Sequence, residues 1–514
     1  MPFELPKSEP EILNKGIFCT DPFNKFPLFK VQIKDNSLNK KDLIVRSWEE
    51  SFALKKQISI NDINPEFVAS IISRIQSCEI SPYLNIKRIP RSSEVRISDI
   101  GNIEVTKKKT FDLKNLKQDK ENDPYLSVRN KILTNLKNIN DKKYGLLGCE
   151  HSSGLDSNLI ISSLIDGLNI NSEELITISF MGCGEGELIN KFRNQYNLSK
   201  ANFHFKDTDF SRIKPSENIN KMIDILGFPH HFGYDIDFLK FLYSKKCSDL
   251  LSGFGGDQCI SHNALNLPTD YLKKFKFLKL FSWMKNSSVS KKFILGNILA
   301  ILYPNWRVQK IQEISNIGQN YNPAIIFLND SGKDWLSKYI RKDYLWEKDR
   351  YVSLKKSMLE RLNSDWISIR VEEETRIAKF FKIRKHFPFL DASLIRLILN
   401  QDESLFGNGF RKGRLFIREA FKDFLPDELY LDPSKYRDHN SETIHNLHIN
   451  QIENCLIEME DCHELIKKYW KVDEIIKNAE RQLSSNKKNM NLLHIYSTSL
   501  ISLLKISCWF KLLS

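Results

Sequence analysis

Two stretches of the chain combine glycine, serine and aspartate in the way a phosphate-holding site requires. The first is Ser152-Ser153-Gly154-Leu155-Asp156-Ser157. It follows Gly145-Leu-Leu-Gly-Cys149, which is small and apolar like a buried strand. It precedes Leu159, Ile160, Ser163 and Leu164, which share one helical face. A strand, a small-residue turn and a helix together aim backbone N–H groups and a positive helix end at an anion. The hydroxyls of Ser152, Ser153 and Ser157 add donors, and Asp156 is placed to hold a magnesium ion on phosphate oxygens. No lysine closes the loop in the GxxxxGK[ST] manner, and a serine-rich helix cap would by itself explain the serines. The second stretch weakens that plainer account. Ser252-Gly253-Phe254-Gly255-Gly256-Asp257 again leads out of a short apolar strand. Its three glycines permit close backbone approach to a ligand. Asp156 and Asp257, each just past a strand end, are placed to share magnesium on a pyrophosphate leaving group.

The elements around these loops alternate. A strand at 175–180, a helix at 188–196, a strand at 201–205 and a helix at 216–226 predict a parallel sheet with its ligand at the strands' carboxyl ends. Upstream, strands at 28–33 and 43–48, a helix at 65–75 and alternating residues at 95–97 and 103–105 suggest a small α+β unit ending in the polar segment 116–124. Domains are therefore expected at 1–122 and 123–514. Residues 264–370 read as helices, with Phe275, Phe277, Phe281, Trp283, Tyr303 and Trp306 expected in helix packing. Glu372-Glu373-Glu374 reads as a solvated helix face in preference to a part of the site. Asp391 is expected to cap a helix at 392–399, and 441–514 is helical by pattern.

With 514 residues, 41% hydrophobic and 27% charged, the composition is that of an ordinary globular protein. No stretch reads as long enough to cross a membrane, the longest apolar run being 293–303, and the first residues lack the order of a signal peptide. A cytoplasmic protein without a membrane partner is expected. The nine cysteines are scattered without CxxC spacing and read as reduced, mostly buried thiols. The net charge of +13 comes from lysines spread along the chain without interleaved aromatics, which argues against a nucleic-acid partner. His262 is either a polar site contact or a structural histidine.

The first loop resembles the SGGxDS pyrophosphate loop of ATP-pyrophosphatases, with Ser153 where glycine is usual. The second resembles the LSGxGxDE motif of asparagine synthetases, with Phe254 and Gln258 in place of polar or acidic residues. Phe387-Pro-Phe-Leu-Asp391 is similar to that family's PFLD segment, and Arg414 to Pro426 resembles its KxxLRxxxxxxLP segment. The likeness spans roughly residues 60–510 by motif order. It implies an ATP-pyrophosphatase-type α/β fold with a large helical C-terminal part, preceded by a degenerate α+β glutaminase-like domain. It assigns ATP and pyrophosphate contacts to Ser152, Ser153, Gly154, Leu155, Asp156, Ser157, Ser252, Gly253, Gly255 and Gly256. Asp156 and Asp257 become magnesium ligands, and Arg414 and Lys435 become catalytic cations. ATP and Mg2+ are the implied cofactors.

The implied reaction is adenylation of a carboxylate followed by attack of an amine to give an amide. Glutaminase chemistry needs an N-terminal cysteine. Position 2 is proline and Cys19 is internal, so glutamine hydrolysis is not expected. The layout is most similar to lasso-peptide cyclases, which implies isopeptide formation within a ribosomal precursor peptide and a processing protease as partner. Three alternatives stand beside it: an asparagine synthetase-like enzyme using free ammonia, a tRNA-modifying ATP-pyrophosphatase, and a non-catalytic scaffold.

Overall fold

The structure is a computed structural model. It describes residues 11–34, 40–55, 58–73, 77–108, 111, 123–180, 186–198, 203–205, 215–231, 236–286, 291–310, 322–339, 352–407, 414–431, 442–485 and 490–514.

The N-terminal part holds two three-stranded antiparallel sheets. One has the order β1 (Gly16–Cys19), β5 (Ser93–Ile97), β6 (Ile103–Lys107). The other runs β3 (Lys40–Val45), β2 (Phe29–Lys34), β4 (Ile86–Arg88). With the helix Pro65–Ser73 this is the small α+β unit expected. The unit packs closely on residues C-terminal to it. Phe67 and Trp48 set their rings against Phe228 at 5.7 and 5.1 Å, and Tyr83 meets Trp509 at 5.6 Å. Buried residues between Phe29 and Ile86 therefore share one hydrophobic core with residues between Ile219 and Phe510, while Leu13, Leu28, Ile44, Ile89, Val95 and Ile97 form a smaller separate cluster.

The central sheet is parallel, in the order β11 (Arg384–His386), β10 (Cys247–Leu251), β7 (Leu146–His151), β8 (Leu175–Phe180), β9 (Phe203–Phe205). β7 and β10 lie side by side, with Leu251 opposite Cys149. This register brings both glycine-bearing turns to the same sheet edge. β11 escapes a reading by periodicity because Arg-Lys-His is short, charged and does not alternate. It nevertheless pairs with β10, as an edge strand of the sheet whose one buried side chain is Lys385.

Three expectations are corrected. Glu372, Glu373 and Glu374, expected on a solvated face, are all buried in the helix Asp365–Phe380. Each has a cationic or N–H partner. Arg88 donates to Glu372 at 3.2 Å, His231 to Glu373, and Arg370 and Lys385 to Glu374. The aromatics expected in helix packing divide: Trp283 is buried, but Phe275, Phe277, Phe281 and Tyr303 are exposed. Finally, Leu492–Leu513 is long and apolar enough to cross a membrane. It lies in the helix Met490–Leu513, where Leu500, Leu503 and Trp509 are core residues. As expected, Asp391 caps Ala392–Asn400, accepting from the Leu394 N–H at 2.8 Å.

Candidate nucleotide site

β7 ends at His151, and the chain turns through Ser152, Ser153 and Gly154 into the helix Leu155–Ser162. Gly154 is the N-cap and no side chain caps this helix, so its first N–H groups face the turn, with Asp156 in the first helical turn. The loop is instead braced from within. Ser157 Oγ accepts from the Ser152 N–H at 3.1 Å and lies 3.1 Å from the Ser152 and Gly154 carbonyls. Ser152 Oγ lies 2.9 Å from Ser157 Oγ and accepts from the Gly154 N–H at 3.1 Å. Ser157 thus serves the loop's shape, while half-buried Ser152 lies nearer the surface. Asn158, which the sequence reading passed over, donates to the Ser152 and Gly154 carbonyls at 2.8 and 2.9 Å. Its only sequence signal is an amide amid the apolar helix residues Leu159–Ile161.

The second glycine turn lies directly on the first. A Cβ on Gly253 would come 3.0 Å from the Ser157 nitrogen and 3.1 Å from the Asp156 carbonyl carbon. A Cβ on Gly256 would meet the Asp156 carboxyl, 2.5 Å from Cγ and 2.6 and 2.8 Å from its oxygens. Gly255 has φ of +97°, a conformation suited to glycine, and its Cβ position is filled by Leu390. These glycines let two backbones close on each other, and the two aspartates come together with them.

Asp156 and Asp257 meet at Arg414. Its guanidinium hydrogen-bonds Asp257 and lies 3.6 Å from Asp156 Oδ2. Arg414 is the N-cap of the helix Leu415–Ala420 and holds φ of +68°, the left-handed region, at a cost of ~1 kcal/mol or more. Two carboxylates share one organic cation, and the same pair of oxygen donors suits a divalent ion. The carboxylate pair therefore fits a divalent cation.

Beside this pair runs a chain of charge, with Lys385 and Glu374 buried and Glu150 and Arg370 half-buried. Ser252 Oγ donates to Glu150 Oε2 at 2.5 Å, and Lys385 reaches Glu150 at 2.5 Å and Glu374 at 2.7 Å. Arg370 pairs with Glu374 at 2.6 Å and stacks its guanidinium 4.3 Å from the centre of the Phe254 ring. Burial works to raise the Glu374 carboxyl, but Lys385 and Arg370 outweigh it and hold it below the usual range. Ser252 is thus a positioning residue for Glu150. Phe254 packs with Trp366 and Phe387 at 5.4 and 6.0 Å, forming an apolar wall next to the glycine turn. One strand away, Asp249 pairs with Arg384 and His386 at 2.8 and 2.7 Å. Burial opposes its charge, yet hydrogen bonds from His386, Arg384 and Ser248 bring it down to about 2.

His262 is structural. It is fully buried, its Nδ1 accepts from the Ala264 N–H at 3.1 Å, and burial pushes its pKa down to about 3. Lys435 lies outside the described residues, as do the cations Lys412 and Arg437. Among the eight described cysteines, seven are buried and only Cys19 is exposed, and none is in a disulfide.

No curated protein matches the chain. The family model for asparagine synthase matches residues 145–491, from the entry to β7 to the start of the last long helix. That range contains both glycine turns, Asp156, Asp257 and Arg414. The chain belongs to the asparagine synthase family.

Proposed function

We propose that this chain is an ATP-dependent, AMP-forming amide synthetase. The observation that carries the reading is the convergence of Asp156 and Asp257 on Arg414 at the carboxyl end of adjacent parallel strands. In this reading a substrate carboxylate oxygen attacks the α-phosphorus, the bond to pyrophosphate breaks, and an acyl-adenylate forms. An amine nitrogen then attacks the acyl carbon, AMP leaves, and the amine gives up a proton. Magnesium, held by Asp156 and Asp257, would supply charge neutralisation on the leaving pyrophosphate. Ser152, Ser153, Gly154, Leu155 and Gly253 form the cradle around it. Arg414, released from the two aspartates, turns its planar fork to phosphate oxygens. Lys435 would stabilise the charge that builds as the amine attacks the acyl carbon.

Free ammonia acting on an aspartyl-adenylate is the amine source that family membership supports most directly. The apolar wall of Phe254, Trp366 and Phe387 favours a second reading, in which a bulkier peptide carboxylate is joined to its own amine as in lasso-peptide cyclases. A precursor peptide and a processing protease would be the partners in that case. The test is ATP–pyrophosphate exchange. Asp156→Asn and Asp257→Asn are each expected to lower it by orders of magnitude. Normal exchange in both variants removes the catalytic reading, and no exchange in the unaltered protein with any carboxylate offered leaves a scaffold. Mass spectrometry after incubation with aspartate and ammonium separates the ammonia reading from the peptide reading.

A further inference from the structure

The segment from Tyr271 to Gln312 holds eight lysines and Arg307 and no carboxylate, against a net charge of +13 for the whole chain. It also holds the densest run of exposed apolar side chains among the described residues. Phe275 is 79% exposed, Phe277 50%, Leu278 87% and Phe281 65%. These residues lie on the turn after the helix Leu267–Lys273 and on the helix Phe277–Asn286.

The helix carries apolar residues on two faces. Leu280 and Trp283 are buried and dock it onto the protein. Leu278, Phe281 and Lys285, at i, i+3 and i+7, share the outward face. A helix that served packing alone would have polar residues there. The turn before it points the same way. Lys276 N–H bonds to the Tyr271 carbonyl at 2.8 Å, closing the 6→1 ring of a Schellman cap. Phe275 occupies its left-handed position with φ of +54°. Glycine is the usual residue there, and a phenylalanine is a strained choice that holds an aromatic ring out in water.

Lysines surround these side chains. Lys273, Lys276, Lys279 and Lys285 are exposed and make no ion pair among the described residues, whereas Lys274 is paired with Glu403 at 2.9 Å. The helix Lys291–Leu302, which packs on Leu267–Lys273, adds Leu295 and Leu302, one heptad apart and 54% and 63% exposed. A groove for a peptide would recess its apolar residues. Here they protrude, ringed by cations, which is the arrangement of an interfacial helix that inserts into lipid between anionic headgroups.

We propose that the Phe275–Lys285 element docks the protein on an anionic membrane surface, with Phe275, Leu278 and Phe281 entering the headgroup–acyl boundary. The proposal does not rest on the amide-synthetase reading. The full chain is expected to co-sediment with vesicles of equal parts phosphatidylcholine and phosphatidylglycerol, but not with phosphatidylcholine alone, and to be released by salt. The triple variant Phe275→Ser, Leu278→Ser, Phe281→Ser removes only exposed side chains and is expected to keep its melting temperature while losing vesicle binding. Lys276→Gln, Lys279→Gln and Lys285→Gln are each expected to weaken binding by roughly five-fold. Failure to bind anionic vesicles overturns the proposal, as does binding that the triple variant leaves intact. Binding to polyglutamate or to an RNA homopolymer in place of vesicles also overturns it, and assigns the patch to an acidic protein or to nucleic acid.

Discussion

Gly256→Ala isolates the placement of one carboxylate from the stability of the fold. The added Cβ would stand 2.5 Å from Asp156 Cγ and 2.6 and 2.8 Å from its oxygens. Comfortable contact begins near 3.4 Å, so the carboxyl must withdraw by nearly 1 Å. It can do so by turning about its own side-chain torsions, because the nearest obstacles are the carboxyl atoms and not backbone. The expected stability loss is therefore small, on the order of 1 kcal/mol. Catalysis is less tolerant, since a misplacement of ~1 Å in a reacting constellation costs about a hundred-fold. Gly256→Ala should keep its melting temperature within a few degrees and lose about two orders of magnitude in ATP–pyrophosphate exchange. Two neighbours serve as controls. At Gly154 a Cβ would meet only Ser152 Oγ at 3.2 Å, and alanine should cost little stability. At Gly255 the +97° φ and the Leu390 side chain in the way should make alanine destabilising by ~1–3 kcal/mol, visible as a lower melting temperature. Exchange within a few-fold of the unaltered protein in a folded Gly256→Ala would refute the placement of Asp156 at the reacting phosphates.

Glu374→Gln leaves Lys385 and Arg370 without their shared carboxylate in the interior. A loss of about 3–5 kcal/mol is expected by urea unfolding, and an unchanged midpoint would show the network to be dispensable. Lys435→Met should retain ATP-dependent exchange and lose amide formation by roughly a hundred- to thousand-fold, because its ammonium would act only as the amine attacks. Product at the unaltered rate would pass the role to another cation, with Lys412 and Arg437 next. Both aspartate replacements should also weaken Mn2+ binding by calorimetry in the presence of pyrophosphate, a readout independent of turnover.

Local patterns carry the alternation of strands and helices and the two glycine turns, because each depends on nearest neighbours along the chain. Strand β8 appears at 175–180 as its run of Leu-Ile-Thr-Ile-Ser-Phe implies, and Asp391 caps its helix from a one-turn signal. The pairing of Asp156 with Asp257 was also within reach, since loops leaving parallel strands end on one edge. That Arg414 comes to the same site rested on the family resemblance alone, because 157 residues separate it from Asp257 and no local pattern links them. The acidic run at 372–374 shows the limit most plainly. Three adjacent glutamates look like a water-facing surface until Arg88, His231 and Lys385 arrive from other parts of the chain, each from more than ten residues away. The aromatics of 275–281 err in the opposite direction, since ring size says nothing about whether a neighbour comes to cover it. Burial of charge and exposure of apolar rings are both decided by long-range contacts. The one-dimensional pattern holds the chemistry of each side chain but not its partners, and only the tertiary structure supplies those.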